Sequence, residues 1–187
     1  MALSLTQPAV AAMRQDQEPL VFEAVYARHF RGVWRTLRRL GVTDARLDDA
    51  AQDVFVVVHR KLAEFQGGSL RAWLYAIAVR VASDYRRDVF HRRTARLSIT
   101  LADAAPGPAR VTELNESVRL LHSLLEELDV DKRTVFVLGE LEQLSTPEIA
   151  EVLQVNVNTV YSRQRAARSQ FDAALKRHRL RTGGREP

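Results

Sequence analysis

The chain is 187 residues long, enough for one large domain or two small ones with separate cores, and its 28 basic against 23 acidic side chains leave a formal charge of +5. It has no cysteine, which excludes a disulfide framework and thiolate zinc sites and suits a reducing compartment. No apolar run approaches a membrane span and the N-terminus lacks the charged-then-apolar pattern of a signal peptide, so a soluble, cytoplasmic chain without membrane insertion is expected.

Residues 1–19 carry little periodicity and are rich in Ala, Gln and Pro, which predicts a disordered lead-in. From Leu20, Phe22, Val25, Tyr26, Phe30, Val33, Leu37 and Leu40 recur at helical spacing, and Gly41 supplies a left-handed cap after Arg38 and Arg39. A second helix follows, with Leu47, Ala51, Val54, Val58, Leu62 and Phe65 as its buried stripe, and Gly67-Gly68 end it. Ser69 caps a third helix whose Leu70, Trp73, Leu74, Ile77, Val81 and Tyr85 face inward. These helices form a first domain over residues 20–93. Pro106-Gly107-Pro108 and many small residues make 94–112 a flexible linker. A second domain over 113–179 has helices near 114–128, 131–142, 146–153 and 157–178, with a tail at 180–187 too short for an appended sensory domain. No strand or internal repeat is evident, so the chain is predicted all-α: two small helical domains joined by a flexible linker.

The C-terminal domain carries a helix-turn-helix in LSTPEIAEVLQVNVNTVYSRQRAARSQF, residues 144–171. Ser145 and Glu148 are spaced for a capping box, and Pro147 sits in the first turn, where its missing N–H costs nothing. Ile149, Ala150, Leu153, Val155, Val160, Ala167 and Phe171 supply the apolar stripe. With Asn156 as N-cap, Asn158, Thr159, Ser162, Arg163 and Arg165 form the leading exposed turns, able to meet base edges or phosphates. Arg168 and Lys176 lie further along, where phosphate contact is expected. The alternative is an amphipathic hairpin with a solvated basic face. Charge distribution favours polyanion binding at two places: residues 71–96 hold seven arginines against two acids, and 160–187 hold eight bases against two acids.

On the second helix Asp49, Gln52, Asp53 and Val56 fall at i, i+3, i+4 and i+7 and so share one face. On spacing alone that face is either solvated or the docking site of a basic partner helix. Asp48, Asp49 and Asp53 lack a histidine at ligand spacing, and the chain has no phosphate loop or nucleophile elbow, so no catalytic residue, metal or cofactor is expected. His29, His59, His91, His122 and His178 are scattered and read as surface or core filler.

The wording LDDAAQDVFVVVHRKLAEF, SLRAWLYAIAVRVASDYRR and LSTPEIAEVLQVNVNTVYSRQRAAR, in that order, resembles bacterial RNA polymerase sigma factors of the sigma-70 family, extracytoplasmic-function type, over residues 20–178. The resemblance implies a promoter-recognition subunit whose partners are core RNA polymerase and promoter DNA, with an anti-sigma factor as a candidate further partner. By that resemblance Asp49, Gln52, Asp53 and Phe55, with Val56 beside them, match the helix that docks on the clamp helices of the largest polymerase subunit. The third helix and the basic loop after it, through Arg96, match the reader of the melted −10 element, which places Arg80, Arg86, Arg87, His91, Arg92 and Arg93 on that strand. The helix-turn-helix matches the reader of the −35 element as duplex, through Asn158, Thr159, Ser162, Arg163, Arg165 and Arg168. Gln154 and Asn158 stand where the family commonly has glycine, Gln164 where an apolar residue is usual, and Arg80 where asparagine is frequent. A repressor or response-regulator output domain would share the C-terminal half without needing the Asp49 face. An adaptor protein would leave the arginine-rich recognition helix without a role.

Overall fold

A computed structural model describes residues 20–96 and 113–183, and its elements there are all helical. The expected lead-in at 1–19, residues 97–112 of the expected linker and 184–187 lie outside the described residues. The helices are α1 (Phe22–Arg39), α2 (Leu47–Lys61), α3 (Leu70–Arg96), α4 (Glu113–Glu126), α5 (Val130–Phe136), α6 (Thr146–Leu153) and α7 (Val157–Gly183).

The first three helices pack around Val33, Leu37, Leu47, Val54, Val58 and Leu74, each no more than 1% exposed. Burying one such side chain contributes about 1.5–3 kcal/mol. Gly41 ends α1 with φ +96°, and Gly67 and Gly68 turn the chain into α3 with φ +98° and +91°. Ser69 Oγ accepts from the Ala72 amide at 3.2 Å, the expected cap. The last turns of α3 differ from the expectation of a basic loop. The helix continues through Arg96 because no glycine or proline occurs between Leu70 and Arg96 to stop it.

In the C-terminal half the helix expected at 131–142 divides. Asp129 caps α5, accepting from the Lys132 amide at 2.9 Å, and the chain widens into a π-helical turn over Val137–Leu141. Gly139 lies within this turn. A Cβ there would meet the Gln164 side-chain nitrogen at 2.5 Å, so the turn and the α7 amide share one space. Gln164 therefore stays buried at a position where an apolar residue was expected. Helix α7 also runs on to Gly183, past residue 178, since nothing before that glycine breaks it.

The two halves touch. Helix α3 packs on α6, and the buried residues of both halves form one continuous cluster. A polar seam runs beside it. The Glu142 carboxylate accepts hydrogen bonds from Thr36 Oγ1 at 2.7 Å, Arg39 at 2.8 Å and the Tyr75 hydroxyl at 2.6 Å. Arg71 donates to the Glu142 carbonyl, and Arg133 donates to the Arg39 carbonyl at 2.5 Å. Burial, then the Glu142 carboxylate, pushes the Tyr75 hydroxyl up to about 12, so it remains a donor throughout the physiological range.

Candidate nucleic-acid interface and partner face

Asp49, Gln52, Asp53 and Val56 are all exposed on one side of α2, the arrangement their spacing implies. They are not equally open. Asp53 accepts from the Tyr85 hydroxyl at 2.6 Å, and Arg46 lies 4.7 Å from the Tyr85 ring centre and 3.2 Å from Asp88. Asp49 has only a 3.8 Å approach from Arg46, so its charge faces solvent. Phe55, placed on the docking motif by resemblance, is 3% exposed. Its ring meets Tyr26 edge-on at 4.8 Å and lies 5.8 Å from Phe30.

This aromatic cluster was missed in the sequence. Phe22, Tyr26 and Phe30 read there as core stripe, but whereas Val25, Val33 and Leu37 are buried, Tyr26 is 41% exposed and Phe22 and Phe30 are only half-buried. Among the described residues the aromatic side of the stripe is not fully covered. Phe22, Tyr26, Phe30, Phe55 and Val56 then line an open groove of about 520 Å³ beside Gln52, His59 and Arg60. Periodicity gave the stripe. Nothing local could say which of its side chains the other described helices cover.

On α3, Arg80 and Arg87 are exposed, and Arg87 pairs with Asp84 one turn back. Arg86, expected with them on the open basic face, instead turns inward. It donates to the Leu40 carbonyl at 2.6 Å, capping the C-terminus of α1 where a cation suits the helix dipole. Its burial lowers the guanidinium pKa without a carboxylate to offset it. The side chains of His91, Arg92 and Arg93 lie outside the described residues.

The helix-turn-helix follows its local signals. Ser145 and Glu148 form the capping box, with the Ser145 amide donating to Glu148 at 2.8 Å, and these bonds hold the Glu148 carboxyl below its ordinary range. Gln154 adopts φ 54°, ψ 44°, the left-handed turn that glycine would enter without strain, at a cost of about 1–2 kcal/mol. Asn156 Oδ1 accepts from the Asn158 amide at 2.8 Å and starts α7. Asn158, Ser162, Arg165 and Arg168 are exposed, while Thr159 and Arg163 are half-buried. Arg163 pairs with Asp131 at 2.5 Å and Arg168 with Glu140 at 2.6 Å. Arg165 has no ion-pair partner among the described residues. Tyr161, 58% exposed, stands among Asn158, Ser162 and Arg165 at i−3, i+1 and i+4. Sequence reading passed over it, although an aromatic residue on the polar side of an amphipathic helix was the available signal.

Among the described residues no cluster of three or more His, Asp or Glu side chains could hold a metal ion, and no helix is long and apolar enough to cross a membrane. The arrangement is therefore an all-α protein with a C-terminal helix-turn-helix, arginines on two long helices and an acidic face beside an aromatic groove. Residues 25–94 match the Sigma-70 region 2 family, and residues 119–171 match Sigma-70, region 4. The RNA polymerase sigma-H factor of Pseudomonas aeruginosa is 34% identical over 139 residues, which span 68% of this chain and 72% of that one. The ferric citrate uptake sigma factor FecI of Escherichia coli is 32% identical over 147 residues, spanning 75% and 83% of the two chains. The solved structure of CnrH in complex with the cytosolic domain of CnrY is similar at TM-score 0.64 and 27% identity, covering 83% of this chain and 87% of that one. The chain belongs to the sigma-70 family of RNA polymerase sigma factors, of the extracytoplasmic-function type. Its task is promoter-specific transcription initiation.

Proposed function

We propose that three surfaces divide this task. The face of α2 made by Asp49, Gln52, Asp53 and Val56, with the groove floored by Phe55, docks on core RNA polymerase. Carboxylates beside an apolar groove fit a partner helix that is basic on one side and apolar on the other. The unit spanning 20–93 then holds the −10 element as melted strand along the arginine-bearing turns of α3, through Arg80, Arg87, His91, Arg92 and Arg93. The unit spanning 113–179 reads the −35 element as duplex through Asn158, Thr159, Ser162, Arg163, Arg165 and Arg168.

The observation that carries this reading is the placement of Asn158, Ser162 and Arg165 together on the exposed leading turns of a properly capped second helix. Arg163 and Arg168 join them through ion pairs with exposed carboxylates, which phosphates can replace at little cost. The chain acts in the cytoplasm. CnrH is held by the cytosolic domain of CnrY in its structure, and a protein partner of that kind, an anti-sigma factor, is proposed here as a regulator.

Reconstitution with core RNA polymerase on a promoter library randomised at both elements tests the assignment. Transcripts should select one upstream duplex sequence and one downstream sequence, and the downstream preference should persist on templates already opened there. Selection of the downstream element only as duplex would overturn the melted-strand part of the reading.

A further inference from the structure

We propose that the outer face of α1, through Arg28, Arg31 and Arg35, is a third DNA contact: a sequence-independent clamp on the phosphate backbone of promoter duplex. It goes beyond the three surfaces above, none of which uses an arginine of α1, and rests on that reading only in that the chain meets promoter DNA.

Helix α1 holds five arginines and a single acidic residue, Glu23 in its first turn. Arg38 and Arg39, in the last turn, have carboxylate partners in Asp44 and Glu142. Arg28, Arg31 and Arg35 have none among the described residues, and all three are exposed. They fall at i, i+3 and i+7, on the side of the helix opposite the buried Val25, Val33 and Leu37. No carboxylate of α1 interrupts the row. The positive field is felt next to it: the His29 imidazole is held below its ordinary range first by burial, then by Arg28 and by Arg71. Arg71 comes from the first turn of α3, so the cationic surface continues from α1 onto the helix proposed to hold the −10 strand.

Like charges three and four residues apart repel and weaken a helix, so an unrelieved row is a local cost that the packing of α1 does not require. A polyanion relieves it. Protein interfaces are built on apolar anchors at their centre, and this face offers none. Ala24 is exposed beside the row, while Tyr26, the large apolar side chain that α1 exposes, belongs to the groove against α2. A phosphate backbone asks only for charge and reach. From Arg28 to Arg35 the helix rises about 10 Å. Duplex rises by about three base pairs over that length and presents about six charges, to which guanidinium forks can bind in pairs of hydrogen bonds. Arg163, Arg168 and Arg177 of α7 must leave a carboxylate to reach a phosphate. The row on α1 need not.

The test uses holoenzyme reconstituted from core polymerase and the full chain, with promoter affinity measured over a range of salt concentrations. Arg28→Gln, Arg31→Gln and Arg35→Gln are introduced together. The slope of log affinity against log salt concentration should become shallower by about 2.7, about 0.9 for each phosphate lost, so a fourfold rise in salt should weaken wild type about fortyfold more than the variant. The change should be equal across a panel of single-base promoter variants, and lysine at the three positions should restore most of it. Melting temperature and affinity for core polymerase should not fall, since the three side chains bond to no other described residue. An unchanged slope would overturn the clamp. A loss of core affinity would make the row a polymerase contact, and a loss confined to one base pair would make it a base reader; either result overturns the proposal. Wild-type holoenzyme with no preference for the upstream or the downstream element would refute the assignments of α7 and α3 instead, and the salt slope would still report on α1.

Discussion

Helices α3 and α7 are alike on paper: each is 27 residues long, rich in arginine and proposed above to meet DNA. Their arginines are placed very differently. The first half of α3 is core, with Leu74, Tyr75, Ile77, Ala78 and Ala82 all buried, and two of its arginines donate to main-chain carbonyls, Arg71 to Glu142 and Arg86 to Leu40. Helix α7 buries a single stripe through Val160, Gln164, Ala167 and Ala174, and its arginines pair with exposed carboxylates instead: Arg163 with Asp131, Arg168 with Glu140, Arg177 with Glu127. A carbonyl cap is structural, because breaking it strands a buried acceptor. A surface ion pair contributes little and is weakened by salt, so phosphate can take its place. Counting arginines locates both helices; the partner of each guanidinium separates those held by main-chain carbonyls from those held by carboxylates that phosphate could replace.

The sharpest way to break this contrast is to truncate one residue on each helix. Leu74→Ala, in the core half of α3, should lower stability by about 2–5 kcal/mol. Tyr161→Ala, on the exposed side of α7, should stay within about 0.5 kcal/mol of wild type. Urea titrations of both variants measure this directly, and equal losses would mean that α7 is as embedded as α3.

The arginines give the next largest effect. Arg86→Ala should cost about 1–3 kcal/mol of stability by leaving the Leu40 carbonyl unpaired. Arg165→Ala should leave melting unchanged and lose about 1–3 kcal/mol of affinity, concentrated at one base pair of the upstream element. A panel of single-base duplex variants at several salt concentrations distinguishes base reading from phosphate contact, since a uniform loss across the panel identifies a backbone clamp.

At the partner face, Asp49→Lys should slow association with core polymerase roughly tenfold at low salt. Asp53→Lys should act similarly but also release the Tyr85 hydroxyl, so its melting temperature should fall slightly while that of Asp49→Lys does not. Stopped-flow association and thermal melting of the two variants separate the open carboxylate from the anchored one. Equal association rates for wild type and Asp49→Lys would remove Asp49 from the docking surface.

Much of this was readable in the chain because the signals are local. Ser145 and Glu148 sit three residues apart and cap each other, Gln154 occupies a turn position that demands a left-handed residue, and Asp49, Gln52, Asp53 and Val56 share a face by helical spacing alone. What escaped is long-range. Glu142 meets donors 67, 103 and 106 residues away in sequence, which no local pattern encodes. The groove at Phe22, Tyr26 and Phe30 depends on how α1 and α2 meet among the described residues. The inward turn of Arg86 depends on where α1 ends in space, and the close approach of Gln164 to Gly139 depends on another helix.

The smallest effect, and the most specific to the seam between the units, is a pH dependence centred on His122. Its imidazole is held below the ordinary value of 6.5 first by burial, then by Arg38, Arg133 and Arg39, with Asp44 opposing them weakly. The folded chain therefore resists protonation where the unfolded chain accepts it, so the unfolded state binds more protons as pH falls through 6.5. Stability is full above that pH and is lost as the pH drops towards the folded value. His29 shifts in the same direction, by burial and the charges of Arg28 and Arg71, and adds to the slope. Melting temperatures of wild type and His122→Gln, compared at about pH 7.5 and about pH 5.5, should converge on acidification, because glutamine gains no charge. His29→Gln added to His122→Gln should flatten the profile further. An identical drop in all three proteins would assign the acid sensitivity to carboxylates such as Glu148 and Asp129, whose pKa values are lowered by the hydrogen bonds they accept from Ser145 and Lys132 and which lose those bonds at lower pH.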